Sequence, residues 1–168
     1  MAKALTNGSI PMGAVAVRDD IYDTIVDAAP ENAIELFHGY TYSGHPAATA
    51  AGLAMMEIIR EEGLFERVFA NEDYFRDAIH SLGDHPLVKD VRSIGFISGI
   101  EVHHDGKPGR RGSRVQTAMF WNGCHVKFTG DVGIVAPQFI VGREEIDIIV
   151  DRFRRTLDED AGQAEAAE

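Results

Sequence analysis

The sequence predicts a mixed α/β chain whose larger part, from about residue 53 onward, is an α+β layer of helices on an antiparallel sheet. Three observations predict it. Apolar residues recur at helical spacing in stretches around 46–62, 64–82 and 144–157. Runs rich in Val, Ile and Phe occupy 88–102 and 132–139, between the helical stretches. The resulting order after residue 53 is helix, helix, strand, helix, hairpin, helix.

The elements follow in turn. Residues 12–17, Met-Gly-Ala-Val-Ala-Val, read as a short apolar strand, which cannot bury both faces by itself. Asp19-Asp20-Ile21-Tyr22 opens a short helical or irregular stretch ending near Pro30. From Pro46 a helix is predicted to about residue 62. Proline suits its first turn, Ser43 or His45 can cap it, and Gly63 stops it. Its first half is rich in Ala and Gly, allowing close backbone approach. Its second half carries Leu53, Met56 and Ile59, a change that suits a helix passing from one domain to the next.

A second helix, 64–82, presents Leu64, Val68, Phe75, Ile79 and Leu82 as one stripe. Residues 88–102 read as one extended stretch, with Gly95 and Gly99 marking bulges or close approach. His103 and His104 sit in a turn-rich loop and read as solvated. A helix is expected over 113–122, then a hairpin of 124–128 and 132–139. The last helix places Glu144 and Glu145 in its first turn and Arg152, Arg154 and Arg155 near its end, as the helix dipole favours. The Ala/Glu-rich residues beyond Asp158 read as a frayed tail.

Composition excludes several function classes. Net charge is −11 and the pI near 5.0, against nucleic-acid binding, which needs clustered Lys and Arg. No apolar run approaches the ~20 residues of a membrane span. The single cysteine, Cys124, cannot form an internal disulfide, so a reducing cytoplasm is the expected setting. Its neighbours read as a strand and its role as small and apolar rather than catalytic. His38 and His45 could pair on a metal, but no other ligand type stands at useful spacing, so no metal is expected.

Two stretches carry candidate chemistry. Ala2-Lys3-Ala4-Leu5-Thr6-Asn7-Gly8-Ser9-Ile10-Pro11-Met12-Gly13-Ala14-Val15 sets a lysine beside a Gly-containing turn. His38-Gly39-Tyr40-Thr41-Tyr42-Ser43-Gly44-His45-Pro46 gathers hydroxyls and free N–H groups, those around Ser43-Gly44 among them, at a helix N-terminus, where the dipole favours a phosphate. Together they resemble the class III (ω-amino acid) aminotransferases, fold-type I enzymes that use pyridoxal 5′-phosphate. The resemblance implies that Lys3 forms the Schiff base and that Thr41 reaches the cofactor phosphate of the partner subunit, supported by Tyr40 and Ser43. For Tyr42 and Ser43 the alternative is a turn residue and a helix cap.

The chain departs from that family in one respect. The family's lysine lies well past the middle of a chain more than twice as long. The resemblance therefore implies the C-terminal portion of a fold-type I enzyme. Residues 1–52 would end the large cofactor-binding domain, 53–158 would form a small C-terminal α+β domain, and 159–168 a flexible tail. The residues that stack on the cofactor ring and pair with its pyridine nitrogen would lie in the part not represented, so the chain is expected to be inactive alone. The complete form would be a homodimer with shared active sites, moving an amino group from an ω-amine or β-amino acid to pyruvate or a similar keto acid. A decarboxylase, racemase or aminomutase on the same scaffold, and a non-catalytic truncated module, are the alternatives.

Lys127 is the informative difference. Many relatives carry an arginine in the Val-Lys-Phe-Thr-Gly-Asp segment of residues 126–131, where it clamps a substrate carboxylate. Lysine retains the charge without the planar fork and binds a carboxylate as a point charge. The other reading is a lysine on a strand rim with no substrate role.

Overall fold

The computed structural model describes residues 1–36 and 39–165, with side chains to residue 162. The chain divides into two compact units, Met1–Glu62 and Gly63–Glu168. The division falls at the end of a helix, whereas the boundary expected at residue 52 lies inside it.

In the first unit, a 3₁₀ turn spans Lys3–Thr6, followed by α1 (Asp19–Asp27) and α2 (Pro46–Glu61). The strand expected at 12–17 does not form. Ala14 exchanges backbone hydrogen bonds with Met1, but no strand among the described residues pairs with 12–17, and Val15 stays 87% exposed. Helix α1 buries none of its residues. Helix α2 starts on Pro46, and of the two expected caps it uses His45, whose Nδ1 accepts from the Ala48 N–H at 3.4 Å. The expected close approach is present at Gly52. A Cβ there would stand 3.3 Å from Met12 Sδ and 3.7 Å from the Leu5 carbonyl oxygen.

The second unit holds α3 (Leu64–His80), β1 (Val88–Ile94), β2 (Ile97–Val102), α4 (Arg110–Trp121), β3 (Lys127–Thr129), β4 (Val132–Val135) and α5 (Arg143–Glu165). The four strands form an antiparallel sheet in the order β1-β2-β4-β3. The run expected as one extended stretch is two strands. Gly95, at φ +50°, turns the chain back so that Ile94 pairs with Ile97. Cys124 precedes β3 instead of lying in it.

Apolar residues from α3, α4, α5 and the sheet meet in one core. Phe75 and Ile79 of α3, Leu82 beyond it, Ile100 and Val102 of β2, Val115 and Met119 of α4, and Ile146, Phe153 and Leu157 of α5 are almost wholly buried. Each large side chain so buried contributes about 1.5–3 kcal/mol relative to exposure. Of the stripe foreseen in the 64–82 helix, Phe75, Ile79 and Leu82 enter this core, Val68 packs against it, and Leu64 is buried apart from it.

Two helix limits differ from expectation for electrostatic reasons. Helix α4 begins at Arg110, three residues early, because the Asp131 carboxylate takes the N–H groups of Gly109 at 2.6 Å and Gly112 at 3.0 Å. The tail expected to fray beyond Asp158 continues α5 to Glu165. Asp160, 6% exposed, receives the guanidinium groups of Arg111 and Arg114, each at 2.9 Å. Leu157 packs one turn earlier in the core.

Candidate active site

The first unit carries an open cleft of about 700 Å³, lined by Ile10 to Gly13 on one side and by Thr41 to His45, Ala48 and Thr49 on the other. The wall from Ile10 is shaped by the turn before it. Buried Thr6 donates its hydroxyl to the Ile10 carbonyl at 2.6 Å, and Ser9 donates to the Thr6 carbonyl at 2.7 Å. The opposite wall is a tight turn. Ser43 N–H donates to the Tyr40 carbonyl at 2.8 Å and His45 N–H to the Tyr42 carbonyl at 3.3 Å. Tyr42 takes φ +67° to make the bend.

This turn alters one expectation. The N–H groups thought to face an anion at Ser43-Gly44 are partly engaged: that of Ser43 closes the turn on Tyr40. What the cleft offers is the Thr41 and Ser43 hydroxyls and the His45 ring at the start of a 16-residue helix. Hydroxyl donors at a helix N-terminus suit a phosphate monoester. A phosphate-bearing cofactor therefore fits this donor set.

Lys3 and Tyr40 are not among the cleft's lining residues. Lys3 is exposed, with φ +56°, in a segment pinned by paired bonds between Met1 and Ala14: Met1 N to the Ala14 carbonyl at 2.7 Å, Ala14 N–H to the Met1 carbonyl at 2.9 Å. His38 lies outside the described residues. Among the described residues, no group of three or more His, Cys, Asp or Glu is placed to hold a metal ion.

In the second unit, Lys127 opens β3 opposite Ile134 and is exposed. It borders a cleft of about 600 Å³ shared with Cys124, His125, Ile134, Ile149 and Arg152. Burial pushes the Cys124 thiol up, with the Arg152 cation acting weakly the other way, so the reactive thiolate is disfavoured. A polar cluster missed in the sequence lies at the far end of α4. There Arg114 bonds Asp105 and holds its carboxyl below the usual carboxylate range. Gly112, placed so that a Cβ would stand 2.0 Å from the Gly130 carbonyl oxygen, was the one sequence signal that α4 and the hairpin turn meet here.

A model of the class III aminotransferases matches residues 1–157. The chain belongs to the class III aminotransferase family. Members of this family depend on pyridoxal phosphate. Among curated aminotransferases, the ω-aminotransferase of Caulobacter vibrioides is 46% identical over 158 residues, and the β-alanine–pyruvate aminotransferase of Pseudomonas aeruginosa 37% identical over 159. Each alignment takes in 94% of this chain and 36% of the relative, so the chain spans little more than a third of the length of these relatives. A solved transaminase with L-alanine superposes with a TM-score of 0.85 at 26% identity, covering 98% of this chain and 40% of that one. The ω-transaminase of Pseudomonas jessenii, solved in complex with PMP, gives 0.69 at 34% identity over 74% of this chain and 29% of its own. The fold is thus that of the transaminases. No helix among the described residues is long and apolar enough to cross a membrane.

Proposed function

We propose that this chain carries part of the active site of a pyridoxal-phosphate-dependent ω-aminotransferase that passes amino groups from an ω-amine or β-amino acid to pyruvate or a similar keto acid. The single observation that supports this most is the family match across residues 1–157, which takes in both the Lys3 segment and the hydroxyl-lined cleft. Pyruvate as acceptor draws on the relative named for β-alanine–pyruvate transfer.

Each residue has a distinct task in this reading. The cofactor, when bound, supplies an aldehyde and an electron sink. Lys3 Nζ would hold it covalently and would carry the proton taken from the carbon that bears the substrate amine. Thr41 and Ser43 donate hydroxyl hydrogens to the phosphate, with Tyr40 shaping the turn through its carbonyl. Lys127 holds the substrate carboxylate by charge. Thr41 serves the partner subunit's cofactor, so the working unit is a homodimer in a reducing cytoplasm. This division of labour accounts for Lys3 lying outside the lining of the Thr41 cleft.

The test begins with the DNA upstream of Met1, read in frame. Where the frame continues upstream, the longer product should convert an ω-amine and pyruvate to alanine, and Lys3→Ala should abolish the conversion. Alanine formation that survives Lys3→Ala overturns the reading. In the same protein, Lys127→Ala should lower kcat/KM for pyruvate roughly ten- to hundred-fold, the loss of a charged hydrogen bond worth ~1.5–3 kcal/mol. A neutral aldehyde acceptor should be little affected. Equal losses with both acceptors would remove Lys127 from substrate binding.

A further inference from the structure

Strand β3 is three residues long and lies at the sheet's edge, a position where short strands open easily. Helix α4 holds it at its middle and at the turn that follows. At its middle, Phe128 N–H donates to Gln116 Oε1 at 2.7 Å, so a side chain takes the outward-facing hydrogen bond that a further strand would otherwise take. At the hairpin turn, Asp131 Oδ2 accepts from Gly109 N–H at 2.6 Å and Oδ1 from Gly112 N–H at 3.0 Å. The Asp131 carbonyl also accepts from Val102 N–H at 2.9 Å. A third restraint is packing: the Phe128 ring stacks on Phe153 at 6.1 Å and covers Gly133, where a Cβ would meet ring Cζ at 2.8 Å.

These restraints converge on one neighbour. Side chains alternate along a strand, so fixing Phe128 toward α5 directs Lys127 and Thr129 to the other face. Both are exposed. A lysine side chain has ~2 kcal/mol of rotamer entropy to lose and reads charge without a planar fork. Its aim therefore depends on how firmly its own backbone is held. Misplacing a binding group by ~1 Å can cost a hundred-fold in rate.

We propose that Gln116 and Asp131 are positioning residues for Lys127, tying β3 to α4 so that the ammonium is presented from a fixed point. This rests on the reading of Lys127 as the group that meets a carboxylate. Gln116 restrains the strand directly beside the lysine, and Asp131 sets the turn that follows it.

Isotope-labelled full chain, studied by NMR, separates this role from a purely structural one. In the wild type, backbone order parameters at Lys127 and Phe128 should match rigid structure, near ~0.85, and fall below ~0.6 in Gln116→Leu. Gln116→Glu, which keeps an acceptor oxygen, should restore them. Asp131→Asn, which keeps one acceptor oxygen, should give an intermediate loss. In parallel, the Lys127 side-chain signal is followed during titration with pyruvate, with chloride as the control. The pyruvate response should weaken at least about threefold in Gln116→Leu, as its anchor loosens. Unchanged order at Lys127 and Phe128 in both Gln116→Leu and Asp131→Asn, with only a lower Tm, overturns the proposal. Lost order in those variants, with a wild-type Lys127 that answers pyruvate no more than chloride, supports the mount and removes the carboxylate reading instead. Should Asp131→Asn not fold, Gln116→Leu, on α4 beside the edge strand, carries the same test.

Discussion

Both units of this chain are rich in apolar sequence, the first the more so, and they use it in opposite ways. In Met1–Glu62, only Thr6, Ala48 and Gly52 are buried among the described residues, while Val15, Ile21, Tyr22, Ile25, Leu53 and Met56 are exposed. In Gly63–Glu168, three helices and the sheet enclose a core led by Phe75, Ile79, Ile100, Met119 and Phe153, each no more than 1% exposed. Secondary structure forms in both. The difference teaches that an amphipathic pattern gives a helix a face to bury and does not supply what covers it. Helix α1 has the stronger amphipathic pattern and buries nothing, whereas α3 buries Leu64, Phe75 and Ile79.

The largest test of the contrast is truncation of one apolar side chain in each unit. Phe153→Ala should destabilise the second unit by about 3–5 kcal/mol, from lost burial and the cavity left behind. Val15→Ala should change stability by no more than about 0.5 kcal/mol, because an 87% exposed side chain has little to lose. Urea unfolding followed by far-UV circular dichroism measures both. Limited proteolysis should cut the first unit first, consistent with its scarcity of buried contacts. A first cut inside α5 would reverse the ranking of the two units.

Much of the second unit was legible because its signals were local. The stripe Leu64, Val68, Phe75, Ile79 and Leu82 gives helix spacing by itself; in the first unit, α2 was legible in the same local way, bracketed by Pro46 and Gly63. What could not be read depended on distant partners. Residues 12–17 have strand composition, but a strand exists only where another lies beside it, and no strand among the described residues of this unit pairs with them. Asp160 looked like part of a frayed tail because its partners, Arg111 and Arg114, are 49 and 46 positions away. The candidate site divides the same way. Lys3, Thr41, Ser43 and Lys127 were found through motifs, whereas Gln116 and Asp131 emerge only once α4 and the hairpin are seen together.

Two helical glycines sharpen the comparison at smaller scale. Gly112 of α4 faces backbone, since an added Cβ would stand 2.0 Å from the Gly130 carbonyl oxygen and 3.0 Å from Asp131 Cα. Gly112→Ala must push the hairpin turn away and disturb the Asp131 bonds, at a cost of about 1–3 kcal/mol that exceeds the ~1 kcal/mol gained in helix propensity. Gly52 of α2 instead meets the flexible end of Met12 at 3.3 Å. Met12 can move, so Gly52→Ala should be close to neutral, the propensity gain offsetting a small displacement. Hydrogen exchange in α2 and chemical unfolding of the second unit give the two numbers. A costly Gly52→Ala would mean that the first unit is packed more firmly than its exposed surface implies.

The smallest expected effect concerns acid. Each unit has an Asp whose carboxyl is held below the usual range chiefly by hydrogen bonding to an arginine: Asp20 beside Arg18, and Asp105 beside Arg114. Their settings differ. Arg18 and Asp20 side chains are 77% and 61% exposed, where solvent and salt screen the pair, while those of Arg114 and Asp105 are 36% and 17% exposed. A depressed carboxyl binds its proton less readily in the folded protein than in the unfolded chain. Its contribution is therefore complete above the unfolded value near ~3.9 and is lost as pH falls toward the lower folded value. Asp105→Asn should remove part of this acid-side loss, so that unfolding midpoints measured from pH 6 down to about pH 3 fall less steeply than in the wild type. Asp20→Asn should leave that slope unchanged. If instead Asp20→Asn flattened it and Asp105→Asn did not, the acid response would belong to the exposed pair, and the second unit's ion cluster would be bound too weakly to distinguish the two regions.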